Sequence, residues 1–334
     1  MTRIGINPSR GRTSDYKPAR LTAVVITHIP HLEGYFHDRL SVLRLSLSSL
    51  IAHTRLPYDL MVFDNGSCAT VVEYLRSLNE QGVIQYLFLA RQNIGKIGAF
   101  QIVFRAAPGE LIAYSDDDIL FYPDWLEATL RIIDTYPRAG MVSCFPVRNG
   151  SRYAIRAIER LADQKPPGII ITRERRIPDE WETDWALSTG REPQEHLNAQ
   201  RHYAEYVLCK EGVETIATAN HFQFVSPRSI LIEALPGQWS GKLMGEMIEV
   251  DEAIDNAGYL RLSTTGRYTR HIGNVVNPEL LAEAQSMHLD VQFKRVVHYS
   301  KHRHWLARFP GVRRMMVGLY NRMFNLLNDI ETHG

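Results

Sequence analysis

Three consecutive aspartates, Asp116, Asp117 and Asp118, end the short apolar run Leu111–Ser115 and stand just before a helix start at Pro123-Asp124-Trp125. Carboxylates this close repel one another unless a cation neutralises them. If strand alternation persists through them, Asp116 and Asp118 share one face and Asp117 takes the other. Two carboxylates on one side suit Mg²⁺ or Mn²⁺ that also holds substrate phosphates. The competing reading is a solvated acidic turn that caps the next helix. A second acidic group, Glu246, Glu249, Asp251 and Glu252, follows Gly245. Those side chains either do proton chemistry or favour the dipole of a helix start. Asp64-Asn65-Gly66-Ser67 reads as a strand-ending turn, which Asn-Gly serves well, or as part of a site.

These residues need a scaffold, and the chain supplies a regular alternation. Leu21–Thr27 is a β-branched apolar run, and Ser41–His53 has leucines at helical spacing. Strands at Asp59–Asp64, Val83–Leu89 and Leu111–Ser115 alternate with helices at 71–78, Lys96–Ala107 and Asp124–Tyr136, before a strand at Met141–Val147. That order gives βαβ units: an α/β fold with a mainly parallel sheet and helices on both faces. Ligands of such sheets sit at the carboxyl ends of the strands, where the aspartates fall. Between 149 and 212 the pattern breaks into a mixture of Arg, Glu, Pro and Trp, read as an insertion over that end. A strand at Ala219–Val225 resumes the sheet. Helices at Arg228–Ala234 and Val250–Ala257 follow, then strands at Tyr259–Ser263 and Arg267–His271.

The C-terminal stretch interleaves Trp305, Phe309, Met315, Leu319 and Met323 with Arg308, Arg313, Arg314 and Arg322. A basic amphipathic helix of this kind lies on an anionic membrane surface or packs on its own domain. His298, His302 and His304 fall in this basic tail and read as a solvated face.

Composition excludes several classes. The net charge of +1 over 334 residues leaves no global field for nucleic acid. The three cysteines, Cys68, Cys144 and Cys209, are far apart and form no C-x-x-C pair, which argues against a disulfide framework or structural zinc. The first dozen residues lack an apolar core for a signal peptide, and no stretch has the length of a membrane span, so a cytoplasmic protein is expected.

The order of motifs resembles the family 2 glycosyltransferases of GT-A fold. Asp64-Asn65-Gly66-Ser67 comes first, then Asn93-Ile94-Gly95-Lys96-Ile97-Gly98-Ala99, then Ser115-Asp116-Asp117-Asp118 and Pro123-Asp124-Trp125-Leu126. The match covers residues 21–147 well and continues more loosely through Gly245–Asn274. The resemblance implies a nucleotide diphospho-sugar donor and a divalent cation, Mn²⁺ or Mg²⁺. It gives Asp64 the nucleotide base, and gives Asp116 and Asp118 the ribose and metal. It also brings Thr27, Asn93, Lys96 and Asp117 to the donor. His271 falls where some relatives place a histidine near the metal, and imidazole is a reasonable third ligand. Gly245-Glu246-Met247-Ile248-Glu249 resembles the family's Gly-Glu-Asp-x-Asp. Met247 stands where the family has its usual base, which leaves Glu246 first, Glu249 second and Asp251 third.

The implied organisation is an arm at 1–20, a nucleotide-sugar-binding half at 21–147, the insertion at 148–212, an acceptor and catalytic half at 213–280, and a helical amphipathic tail at 281–334. The implied reaction is inverting transfer of a sugar to a glycan or lipid-linked acceptor. A cytoplasmic enzyme, peripheral at the inner membrane face through its tail, fits that acceptor. Two rivals stand beside it. A nucleotidyltransferase of related fold usually carries a Gly-rich loop after the first strand, where this chain has Thr27-His28-Ile29-Pro30-His31. A membrane-associated scaffold with a degenerate transferase domain would tolerate Met247.

Overall fold

The computed structural model describes residues 9–245 and 247–289, with the helical positions 315, 319, 322 and 323 beyond them. The chain divides into two compact units, 1–291 and 292–334, and the sheet belongs to the first. In the second, Met315, Leu319 and Met323 are helical and exposed. Arg322 is helical and exposed as well, residues 281–289 of the expected tail belong to the first unit, and its remaining positions lie outside the described residues.

The first half follows the alternation read from the sequence. It runs β1 (Leu21–Thr27), α1 (Arg39–His53), β2 (Tyr58–Asn65), α2 (Ala69–Glu80), β3 (Tyr86–Ala90), α3 (Gly95–Ala106) and β4 (Leu111–Asp116). A short β5 (Ile119–Phe121), α4 (Trp125–Thr135) and β6 (Ala139–Ser143) follow. The stretch read as an insertion contains α5 (Arg156–Gln164), β7 (Ile169–Glu174), α6 (Asp179–Ser188), α7 (Pro193–Gln200) and β8 (Glu205–Lys210). The remainder is β9 (Val213–Ile216), β10 (Gln223–Pro227), α8 (Arg228–Ala234), α9 (Met247–Asn256), β11 (Leu260–Ser263), β12 (Thr269–His271) and α10 (Pro278–Ser286).

The main sheet has the order β3-β2-β1-β4-β10-β6-β11-β9-β8-β7. Strands β1 to β4 are parallel, as are β6 and β11. The strand expected to resume the sheet at Ala219–Val225 is β10, shifted to Gln223–Pro227 and antiparallel to both β4 and β6. The insertion is not one loop: β7 and β8 extend the sheet as an antiparallel edge through β9. Seen by direction, only β10, β9 and β7 oppose the rest, so the sheet is mainly parallel.

Alternation along β1 separates two cores. Leu21, Ala23 and Val25 join Leu43, Leu47, Leu50, Val71, Leu75 and Trp125. Val24 and Ile26 join Phe100, Phe104, Leu231, Val250 and Ile254 on the other face. Burying a strand on both faces is what makes its sequence uniformly apolar. Each fully buried Leu or Val contributes about 1.5–3 kcal/mol. On α1 the buried stripe Val42, Leu43 and Ser46 also contains Arg39, only 8% exposed. The far end of α1 grips β5: the Phe121 amide donates to Ser49 Oγ at 3.0 Å, and His53 Nδ1 donates to the Phe121 carbonyl at 2.6 Å.

Strands β5 and β12 form a separate two-stranded antiparallel sheet with His271 opposite Ile119. The Ile272 amide donates to the Asp118 carbonyl at 2.9 Å. This small sheet carries His271 to the aspartates, more than 150 residues away in sequence.

Candidate active site

The site is built at the carboxyl ends of three neighbouring strands. In the parallel register Thr27 of β1 lies opposite Asp64 of β2, and Ile26 lies opposite Asp116 of β4. Three polar ends therefore meet at one edge, where the sheet's backbone amides and the next helix starts converge.

Asp64 is almost wholly buried, and both its oxygens receive the Ser67 amide, at 3.2 and 3.3 Å. Burial raises its pKa above the ordinary value, against these hydrogen bonds. The neighbouring Asn65 ties this turn to the start of α3. It donates from Nδ2 to Asn93 Oδ1 at 2.9 Å and accepts the Ile94 amide at 2.8 Å. Asn93 Oδ1 also accepts the Gly95 amide at 2.8 Å. The close approach depends on Gly66, at φ +82°, where an added Cβ would lie 2.9 Å from the Asn93 nitrogen and the Gln92 carbonyl carbon. Gly66→Ala is accordingly expected to lower stability by about 1–3 kcal/mol, through the backbone strain of a positive φ plus that clash. Urea unfolding measures it; a midpoint equal to the wild type's would show that the turn does not need glycine.

The three aspartates do not alternate as a strand would have them. Strand β4 stops at Asp116, and Asp117 and Asp118 form a turn. Asp116 is held on the α3 side: Lys96 Nζ donates to its Oδ1 at 2.7 Å, and the Tyr114 hydroxyl donates to the same atom. Burial first, then Asp116, raises Tyr114 well above its usual pKa, which keeps it a donor. Lys96 also reaches the His221 carbonyl at 3.3 Å.

Asp117 and Asp118 are both held from α1. Arg39 donates from Nη2 to Asp117 Oδ1 and from Nη1 to Asp118 Oδ2, the latter at 2.9 Å. Thr27 Oγ1 donates to Asp117 Oδ2 at 2.5 Å. Burial lifts the pKa of Asp117 despite Arg39. For Asp118 burial also acts upward, but His271 and Arg39 outweigh it and the net direction is down. Asp118 stays an anion with Oδ1 buried and unpartnered. His271 Nε2 lies 3.6 Å from Asp118 Oδ2, and its Nδ1 is 2.9 Å from Ser188 Oγ on α6.

Among the described residues no three His, Cys, Asp or Glu side chains converge into a ready metal cage. A divalent cation that keeps waters and takes phosphate oxygens needs fewer protein ligands. A bare, anionic Asp118 Oδ1 beside an imidazole fits such a cation as part of its shell. Asp116 faces Lys96, so this arrangement separates the two aspartates that the resemblance pairs.

The second acidic group is spread over the start of α9. Glu246 lies outside the described residues. Met247 opens α9 buried in the core with Val250 and Ile254. Glu249 is exposed in the first turn. Asp251 is fully buried, accepting Arg261 Nη2 at 3.0 Å and the Tyr153 hydroxyl at 2.9 Å. The loop before α9 runs over α3, with the Lys96 amide donating to the Leu243 carbonyl at 3.3 Å.

Two contributors are absent from the sequence reading. Arg39 could have been found from its place on the buried stripe of α1, where an arginine needs a carboxylate partner. Ser188 carries no local signal, because its partner is set by tertiary packing.

Residues 35–190 match the family model described as glycosyl transferase family 2. An uncharacterized glycosyltransferase of Nostoc sp. strain PCC 7120 is 25% identical over 121 residues, covering 36% of this chain and 37% of the relative. The chain thus spans well under half of that relative's length. Among solved structures, GalNAc-T7 with UDP, GalNAc and Mn²⁺ shares 17% identity at a TM-score of 0.47, over 77% of this chain and 44% of that one. The mannosyltransferase PcManGT from Pyrobaculum calidifontis, in complex with GDP-Man and Mn²⁺, shares 23% identity at a TM-score of 0.32, over 40% of this chain and 37% of that one.

Proposed function

We propose that this chain, whose residues 35–190 match the family 2 glycosyltransferase model, moves a sugar from a nucleotide diphospho-sugar to a hydroxyl acceptor with inversion and with a divalent cation. The observation that carries the metal-dependent reading is the Asp118–His271 pair, an anion with a bare buried oxygen next to an imidazole at the sheet's ligand-binding edge. When bound, Mn²⁺ or Mg²⁺ supplies charge neutralisation to the departing diphosphate. Asp118 and His271 are the residues that would hold it. Arg39 keeps the acidic turn compact before the donor arrives. Lys96, paired with Asp116, is a cation within reach of the diphosphate side once the donor competes for that pairing. Asp64 and the Asn65–Asn93 link shape the nucleotide end, and Thr27 and Asp117 brace the floor. Glu246 or Glu249 takes the proton of the attacking hydroxyl.

A hydroxyl-rich acceptor suits a second feature. A cleft of about 380 Å³ is lined by Tyr122, Trp181, Asp184, Arg267 and Glu283. Asp184 lies one helical turn before Ser188, the His271 partner. Arg267 pairs with Asp184 at 2.8 Å and the Tyr122 hydroxyl with Glu283 at 2.6 Å beside the Trp181 indole, which gives a sugar an aromatic face with polar groups around it.

A thermal-shift panel of UDP-, GDP-, dTDP- and CMP-sugars, with and without Mn²⁺, tests the donor class. Binding to the native state raises its stability by mass action, so one of the UDP-, GDP- or dTDP-sugar series should stabilise the chain in a Mn²⁺-dependent way, whereas a shift with the monophosphate CMP-sugars alone would contradict a diphosphate donor. No shift with any member would contradict the reading.

A non-catalytic scaffold is the second reading, favoured by the burial of Met247 in the core at the family's base position. The nucleotidyltransferase reading is weaker. The segment after β1 is committed to the Asp64 turn, with His28 Nδ1 bonded to the Asn65 carbonyl at 2.9 Å and the Ile29 amide to Ser67 Oγ at 2.9 Å.

The proposal extends to a cytoplasmic enzyme peripheral to an anionic membrane. Among the described residues no helix is long and apolar enough to cross one. The interleaved Arg and apolar residues after Trp305 support surface attachment. Removing the chain from Trp305 onward is expected to reduce sedimentation with phosphatidylserine vesicles. Equal binding by a folded truncation, or none by the full chain, would contradict it.

A further inference from the structure

We propose that Ser188, at the end of α6, is a positioning residue that sets the tautomer of His271 and so completes the cation-binding atom pair. The inference rests on the metal-dependent reading above and adds to it a residue from the inserted segment, far from every motif in the sequence.

Ser188 Oγ lies 2.8 Å from the Trp185 carbonyl, to which it donates, and 2.9 Å from His271 Nδ1. With its proton directed at the Trp185 carbonyl, which the Thr189 Oγ1 and amide also approach at 2.9 and 3.1 Å, the Ser188 oxygen accepts from Nδ1–H. Once the ring is neutral, as a metal ligand must be, the other nitrogen, Nε2, carries the lone pair. It faces Asp118 Oδ2 at 3.6 Å, beyond hydrogen-bonding distance. Asp118 Oδ1, buried and unpartnered, is the second electron-rich atom of the pair. The opposite tautomer would aim an N–H at the carboxylate and remove the donor lone pair. A hydrogen bond to the far nitrogen is how proteins select between these forms in metal-binding histidines.

The backbone fixes Ser188 for this task. Gly273 has φ +70°, and a Cβ there would lie 2.6 Å from the Ser188 carbonyl oxygen. The chain leaving β12 therefore runs directly against the end of α6. On its other side Arg39 Nη1 reaches the Gly273 carbonyl at 3.3 Å and Asn274 Oδ1 at 3.4 Å. His271 is clamped between α6 and α1, and both clamps also touch its surroundings: Ser188 directly, Arg39 through Asp118.

The test uses the full chain and Mn²⁺ alone, with free Mn²⁺ counted by electron paramagnetic resonance. Ser188→Ala is expected to weaken Mn²⁺ binding about 10–100-fold, the range typical of lost outer partners. The urea midpoint of the metal-free protein should stay unchanged. Ser188→Thr, which keeps the oxygen, should restore most of the affinity. Pulsed measurements on bound Mn²⁺ should show coupling to an imidazole nitrogen in the wild type and less of it in Ser188→Ala. Equal Mn²⁺ affinity in wild type and Ser188→Ala would overturn this inference while leaving the metal-dependent reading intact. A fall in affinity that tracks a fall in the urea midpoint, with no rescue by threonine, would also overturn it, as the mark of a packing role. A wild-type chain that binds no Mn²⁺ would overturn both.

Discussion

Asp118→Ala is expected to abolish Mn²⁺-dependent donor binding, measured by calorimetry, while the metal-free chain still folds. The carboxylate removed is the one with a bare buried oxygen beside His271. Losing an anionic ligand weakens the cation, and with it the neutralisation of the diphosphate. Folding survives because Arg39 keeps Asp117 as a partner. Stripping a buried ion of its partners costs about 3–5 kcal/mol, and Asp118→Ala avoids most of that. Arg39→Met is the contrasting variant. It leaves two buried carboxylates without their shared cation, so it should show the full destabilisation. Unchanged Mn²⁺-dependent donor affinity in Asp118→Ala would remove the metal assignment.

The second large effect concerns the base. Glu246→Gln is expected to retain donor and metal binding and lose on the order of 10²–10⁴ in transfer rate. An amide keeps the shape of the side chain but takes no proton at neutral pH. Glu249→Gln is the partner experiment, since Glu249 is exposed at the first turn of α9 and available to an acceptor. Asp251 is the poorest of the three, because Arg261 and Tyr153 occupy it. Normal turnover by Glu246→Gln with loss in Glu249→Gln would place the base one helical turn later. Full activity in both would discard the ungapped match of Gly245–Glu249 to the family motif.

Much of this was legible in the sequence wherever a physical period carried it. Leu21–Thr27 is a strand to the residue, because a strand buried on both faces leaves a continuous apolar run. Arg228–Ala234 is likewise a helix with the expected bounds. The site was legible as a set of strand ends and not as a geometry. Alternation could not follow Asp117 and Asp118 into a turn, so both face Arg39 and Asp116 faces Lys96. The strand Ile119–Phe121 is too short for any periodic signal, yet its pairing with β12 delivers His271. Within 148–212, β7 was hidden because an exposed edge strand tolerates charge: Arg173 and Glu174 end it. Long-range polar contacts tie this segment together, from the buried Arg148 to the half-exposed Asp179 and between the buried His196 and Glu182. Arg148 pairs with Asp179 at 2.6 Å, and His196 with Glu182 at 2.6 Å. Polar contacts between residues that lie on different elements leave no local trace. Ser188 and Arg39 belong to the same class of long-range polar contact.

The central claim is sugar transfer from a diphosphate leaving group at a cation-dependent site. It is tested most directly by incubating the full chain with Mn²⁺ and the sugar nucleotide that stabilises it most, and following products by phosphorus and proton magnetic resonance. The account predicts release of a nucleoside diphosphate and a sugar of inverted anomeric configuration, abolished by chelation with EDTA and by Asp118→Ala. Release of pyrophosphate or a nucleoside monophosphate, or no turnover of any sugar nucleotide with water or with a glycan acceptor, would contradict it.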